Sequence, residues 1–181
     1  MFELEVRVGT SLESESQQSR EFAIMPRYLP LLFLFLASAL LAAEPFQTYS
    51  NPRFNYSIEY PSRLLIPRGD APKGDGQIFA SEDLQAQMII YGTPNVAEQT
   101  IKDLFQQEAR DVAGPKISKR VTYKRQKDNW FVISGYIGPK IFYQKTFLSN
   151  DMFKTFYIEY PEDQRGLYDP ILSRLGKSFK G

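Results

Sequence analysis

A chain of 181 residues with neither cysteine nor histidine can form no disulfide, thiolate metal site or thiol nucleophile, and it has no imidazole base or Ser-His-Asp arrangement. The chemistry left to it rests on carboxylates, Lys, Ser and Tyr, and no pattern calls for a cofactor or a metal. A formal net charge of +1 is too mild for a general nucleic-acid binder.

The chain opens with residues 1–24, a polar segment in which Glu3, Glu5, Glu13, Glu15 and Glu21 outnumber Arg7 and Arg20 and a Ser/Glu/Gln tract has little to bury. Residues 25–43 differ in kind. Met25 and Arg27 form a short positive start, Leu29 to Ala43 run fifteen residues without a charge, and small residues precede Glu44-Pro45. A bilayer-spanning helix needs about 20 residues, and a core helix would carry a polar stripe, so the run reads as a cleavable secretion signal and not a permanent span. Cleavage is expected after Ala42 or Ala43. A signal normally opens a chain, so translation is expected to begin at Met25, with residues 1–24 a start-site error or a disordered extension. The leader implies an exported, periplasmic or secreted body, 44–181, of a size that suits one domain.

That body reads mostly as strands. Phe54 to Tyr60 alternates apolar and polar residues and stops at Pro61, which cannot donate to a ladder. Gln77–Ser81 and Ala86–Tyr91 suggest a hairpin around Glu82-Asp83. Ile101, Leu104, Phe105, Ala109 and Val112 recur at helical spacing, predicting a helix over Ala97–Asp111 capped by Asn95 and ended by Gly114-Pro115. Lys119–Gln126, Asn129–Ile137, Lys140–Leu148 and Met152–Tyr160 follow as strands with short loops, so they should pair as an antiparallel meander. In the Trp130 strand both faces are apolar, which places it centrally and covered on both sides. Asp169-Pro170 reads as a cap and first position of a last helix carrying Ile171, Leu172, Leu175 and Phe179. The sum is an α+β domain, an antiparallel sheet of six or seven strands covered by helices. Ile58-Glu59-Tyr60-Pro61 recurs as Ile158-Glu159-Tyr160-Pro161, two strands ending at the same proline stop.

The segments FNYSIEYPSRLLIP, GDGQIFAS, VTYKRQKDNWFVISGYIGPKIFYQKTF and YDPILSRLGKSF resemble a group of uncharacterised exported bacterial proteins with a PsbP/Mog-like fold. The likeness spans about Phe46 to Lys180 and its motifs are structural. It implies a module that binds or assembles and does not catalyse. It carries over no site residue, since a shared fold does not define a shared activity.

Four candidate sites stand out from the residues. Gly74-Asp75-Gly76 lacks both the third glycine of a dinucleotide fingerprint and the oxygen ligands of a calcium loop, so it reads as a turn. Lys116, Lys119, Arg120, Lys124, Arg125 and Lys127 place six cations within twelve residues. Strand alternation would set Arg120 and Lys124 on one face and Lys119 and Arg125 on the other. Such a strand is either a solvated edge that resists aggregation or a docking surface for an acidic partner or anionic headgroups. Nine aromatics lie between Trp130 and Tyr157; most belong in a core, while Tyr136 or Tyr143 could line a ligand groove. The adjacent carboxylates Glu82-Asp83 and Glu162-Asp163 should diverge into solvent at a turn and a helix start.

The leading expectation is therefore a non-enzymatic exported module that binds an envelope protein or supports an assembly. The alternative is a carrier or sensor for a small apolar or anionic ligand held between sheet and helix, with a carboxylate-based enzyme third. Mass spectrometry of the protein from its native host should find no tryptic peptide from residues 8 to 20; detection of that peptide would refute a start at Met25.

Overall fold

The computed structural model describes residues 44–181 apart from 73, 74 and 116, so the expectations for the extension and the secretion signal lie outside the described residues. Strands β1 (Phe46–Asn51), β2 (Tyr56–Pro61), β3 (Ile66–Asp70), β4 (Gly76–Ala80) and β5 (Gln87–Pro94) lead into helix α1 (Ile101–Glu108). Strands β6 (Lys119–Lys127), β7 (Trp130–Ile137), β8 (Lys140–Ser149) and β9 (Met152–Pro161) follow, and the chain closes with a 3-10 turn (Glu162–Gln164) and helix α2 (Arg165–Ser178). Among the described residues no helix is long and apolar enough to cross a membrane.

The C-terminal meander pairs as the short loops require, and β5 adds to the far side of β9. The result is one seven-stranded antiparallel sheet in the order β3-β4-β5-β9-β8-β7-β6. β9 is thus the central strand. β7 is covered on both faces but lies one place from the edge, which corrects the expectation that it is central. Strands β1 and β2 form a separate hairpin.

Alternation assigns the two sheet faces. One carries Met88, Ile90, Ile141, Phe147, Phe156, Ile158 and Tyr160 into the main core, against β2, Phe179 and the Tyr168, Ile171 and Leu175 stripe of α2. Side chains such as Phe156 and Ile158 are fully buried, each contributing roughly 1.5–3 kcal/mol of transfer free energy. The opposite face carries Phe131, Ile133, Phe142 and Phe153 against Ile101 of α1 and Ala109, which caps its C-terminal end. Helical cover is thus shared with a β-hairpin on the first face. The repeated Ile-Glu-Tyr-Pro has a plain cause: β2 and β9 alternate in phase, so Ile58 and Tyr60 meet Ile158 and Tyr160 in one core while each strand ends at its proline.

Both helices start elsewhere than the sequence suggests. The Asn95 amide brackets Gln99, accepting from its N–H and donating to its carbonyl at 2.9 Å, and Glu98 takes a left-handed φ of 51°. That closes a loop where a first turn was expected. Thr100 caps α1 instead, in a reciprocal box with Asp103: the Asp103 N–H donates to Thr100 Oγ1 and the Thr100 N–H to Asp103 Oδ2. At the other end Asp169 is inside α2, accepting from the Tyr160 hydroxyl at 2.5 Å and from Arg165 Nε at 3.2 Å. Pro170 therefore sits in the helix interior, where it costs a backbone bond. Pro170 and Gly166, whose carbonyl loses that donor, are both exposed, so water can take the bond.

Lys154 is a buried cation whose ammonium donates to the Asn55 carbonyl and to Ser149 Oγ, each at 3.0 Å. At one rim of the sheet β3 is short, fully exposed and irregular, its register shifting between Pro67 and Gly69. At the other rim, β6 lies so close over Gly135 of β7 that a Cβ there would strike the Arg120 carbonyl oxygen. Gly135→Ala should destabilise the domain by about 1–3 kcal/mol. Hydrogen exchange of β6 amides should rise far more than that of β9; uniform exchange would show that the glycine does not seat the edge.

Candidate functional site

The basic run lies on an edge strand. Its first residues are covered, since Val112 and Lys119 bridge through paired backbone bonds and Asp111 Oδ1 accepts the Val121 N–H at 2.7 Å. From Tyr123 to Lys127 the outer edge takes no backbone bond from another element among the described residues. A row of unpaired N–H and C=O groups is a pairing template, and the lysines and arginines on it discourage non-specific strand addition.

A bulge at Thr122 reassigns the cations. The register passes from Val121 opposite Gly135 directly to Tyr123 opposite Ser134, so parity inverts at that point. Arg120, Arg125 and Lys127 consequently share the α2 face, whereas Lys119 and Lys124 share the other. This corrects the pairing expected from plain alternation. Two contacts follow from the new parity: the Arg120 guanidinium lies 4.9 Å from the Tyr136 ring centre and that of Arg125 5.6 Å from Trp130. Lys119 is drawn inward, donating to the Glu108 carbonyl at the C-terminal end of α1 at 2.7 Å, where a cation suits the helix dipole. Lys127 lies 3.9 Å from Asp128, Lys124 is exposed, and Lys116 falls outside the described residues.

Of the two tyrosines singled out, Tyr136 is roofed by Arg120 and Tyr143 lines a groove. The groove, about 340 Å³, runs between the β6–β7–β8 corner and α2, with Arg125, Trp130, Tyr143, Lys145, Gly176 and Lys177 among its walls. Tyr143 stacks on Phe156 with ring centres 5.6 Å apart, and burial pushes its hydroxyl pKa up to about 12. Lys145 is half-buried; its ammonium donates to the Gly176 carbonyl at 2.6 Å, and burial lowers its pKa. Strand alternation draws attention to neither Lys145 nor Lys177; only the packing of α2 on the sheet brings them together.

The remaining candidates have structural work. Asp83 Oδ1 accepts from Ser81 Oγ and the Gln85 N–H, bonds that hold its pKa below the ordinary value and close the β4–β5 hairpin. Glu162 and Asp163 open the 3-10 turn. The Asp75 carbonyl accepts from the Tyr56 hydroxyl and the Gly92 N–H, and Gly76 begins β4.

Comparison with known proteins finds no matching family model and no matching curated protein. Among solved structures, the cyanobacterial PsbP (CyanoP) of Synechocystis sp. PCC 6803 superposes with a TM-score of 0.57 at 12% identity, covering 77% of this chain and 94% of that one. This chain has a PsbP-like fold. The likeness reaches the backbone arrangement and leaves the β6 cations and the α2 groove as features to be argued from this chain alone.

The neutral Tyr143 hydroxyl fixes a sign. Its folded pKa lies above the ordinary 10.0, so the stability it contributes is complete below pH 10 and is lost as pH rises toward 12. Denaturant midpoints measured across that window should fall less steeply in Tyr143→Phe than in the native protein; superimposable profiles would show that Tyr143 is not held neutral by burial.

Proposed function

We propose that this domain is a non-enzymatic, exported binding module that docks through the outer edge of β6 to an acidic surface on a protein partner in the cell envelope. The observation that carries the reading is the open stretch from Tyr123 to Lys127, which offers main-chain groups along its edge with Arg125 and Lys127 on one face and Lys124 on the other. An extended acidic segment can meet both sets of groups at once, main chain by strand addition and side chains by charge. Export rests on the leader at 25–43, and a binding role agrees with what the PsbP/Mog resemblance implies. The same edge could meet anionic headgroups, which are charged but offer no strand.

Capture of partners from the native envelope fraction by the full-length protein should fall at least about tenfold in Lys124→Glu/Arg125→Glu, equivalent to roughly 1.4 kcal/mol, and should weaken with salt. Undiminished capture by the double variant, its fold verified by circular dichroism, would exclude the edge. Retention on anionic liposomes that equals or exceeds retention on the captured protein would assign the surface to membranes.

A further inference from the structure

We propose that the groove between the β6–β7–β8 corner and α2 is a binding site for a small organic anion with a flat aromatic body. Arg125, Lys145 and Lys177 all line the groove, no carboxylate does, and none of the three forms an ion pair among the described residues. Elsewhere Lys140 lies 2.8 Å from Glu159, Arg174 2.8 Å from Glu59 and Arg165 3.2 Å from Asp169, while Arg120, Lys124 and Lys154 also form no ion pair among the described residues. The groove is set apart by holding three cations together without a carboxylate. A half-buried ammonium is costly to desolvate, and a single bond to the Gly176 carbonyl leaves Lys145 with two N–H donors for an incoming group.

The groove also has a shape suited to a flat ring. Trp130 and Tyr143 flank the buried Val132 on the same sheet face, giving flat apolar walls beside the cations. The indole of Trp130 is approached by both Arg125 and Lys145, at 5.6 and 5.9 Å from the ring centre, so the two charges converge on one aromatic surface. The far wall is kept open by the glycine at 176, where a Cβ would stand 3.0 Å from the Tyr143 hydroxyl oxygen. A volume of about 340 Å³ lies within the range of small-molecule sites, roughly 300–1,000 Å³. The negative group belongs against Lys145, within reach of Arg125 and Lys177, and the ring against Trp130 and Tyr143. Inorganic phosphate satisfies only the first requirement and a neutral aromatic only the second.

Trp130 is the single tryptophan of the chain, so its indole N–H gives one side-chain signal in a nitrogen-15 correlation spectrum and reports the groove directly. Titration of the full-length protein with 2-naphthoate should shift that signal saturably at millimolar probe. Its uncharged analogue 2-naphthylmethanol, and inorganic phosphate, should each bind at least about tenfold more weakly. Lys145→Met should weaken 2-naphthoate by a similar factor while the amide signals of β9 stay in place, and Gly176→Val should block the probe by filling the wall. Both residues lie outside β6, so these variants should retain the edge contact proposed above. Equal affinity for 2-naphthylmethanol would overturn the anion, equal affinity for phosphate would overturn the aromatic body, and an unshifted Trp130 signal or unaltered binding by a folded Lys145→Met would overturn the site.

Discussion

Phe179 sits at the junction on which the rest of the domain depends. It follows the last residue of α2, is 3% exposed, and packs edge-on against Phe156 at 5.2 Å, beside Phe147 at 4.8 Å and Tyr56 at 6.3 Å. One ring thereby joins β2, β8, β9 and the end of the helix. Just beyond it, Lys180 exchanges backbone bonds with Ser57 at 2.8 and 3.0 Å, tying the C-terminal strand-like tail to the N-terminal hairpin. In a chain with no cysteine, this aromatic contact does by exclusion of water what small exported domains often do by covalent staples. It also fixes the height of Gly176 above Tyr143 and Lys145, so the groove is a consequence of how the core closes.

The pairing of the meander was legible in the sequence because strand-like segments joined by two- or three-residue loops leave little choice of neighbour. Neither β1 nor β3 carries a strand pattern of its own. The Phe46–Asn51 strand buries little on either face, and Ile66–Asp70 contains Pro67 and Gly69 and is exposed throughout. Both are recruited by neighbours and not by their own pattern. The helix starts were misplaced where two good capping signals compete: Asn95 and Thr100 can each hold a first turn, and the left-handed Glu98 settles the contest by breaking the backbone between them. Asp169-Pro170 has a cap's composition, but its carboxylate is claimed by the Tyr160 hydroxyl at the end of β9, a contact that neither strand nor helix periodicity signals.

The candidate sites divide in the same way. Six cations in twelve residues are visible as composition, and their place on an edge strand is a natural inference. Which cation shares a face with which is not, because one bulged residue at Thr122 inverts everything before it relative to everything after. Tyr143 was visible as an amphipathic ring in a crowded aromatic stretch. Lys145 and Lys177 were not, being single lysines thirty-odd positions apart that meet only when α2 lies across the sheet. Local chemistry can be read from spacing; convergence of charge has to be read from packing.

The two rims of the large sheet are unlike. β3 is brief, carries a proline without an N–H, and kinks at Gly69, whose φ of 131° takes the backbone out of the strand region. β6 is long and, over its second half, open. A sheet that can accept another strand at both ends could be built into an unlimited polymer, each molecule passing the edge along. In the large sheet the proposed contact would therefore be made at one end only, and two β6 edges facing one another would set cation against cation. A strand added there would not be passed along through β3: on this reading the large sheet has a valency of one.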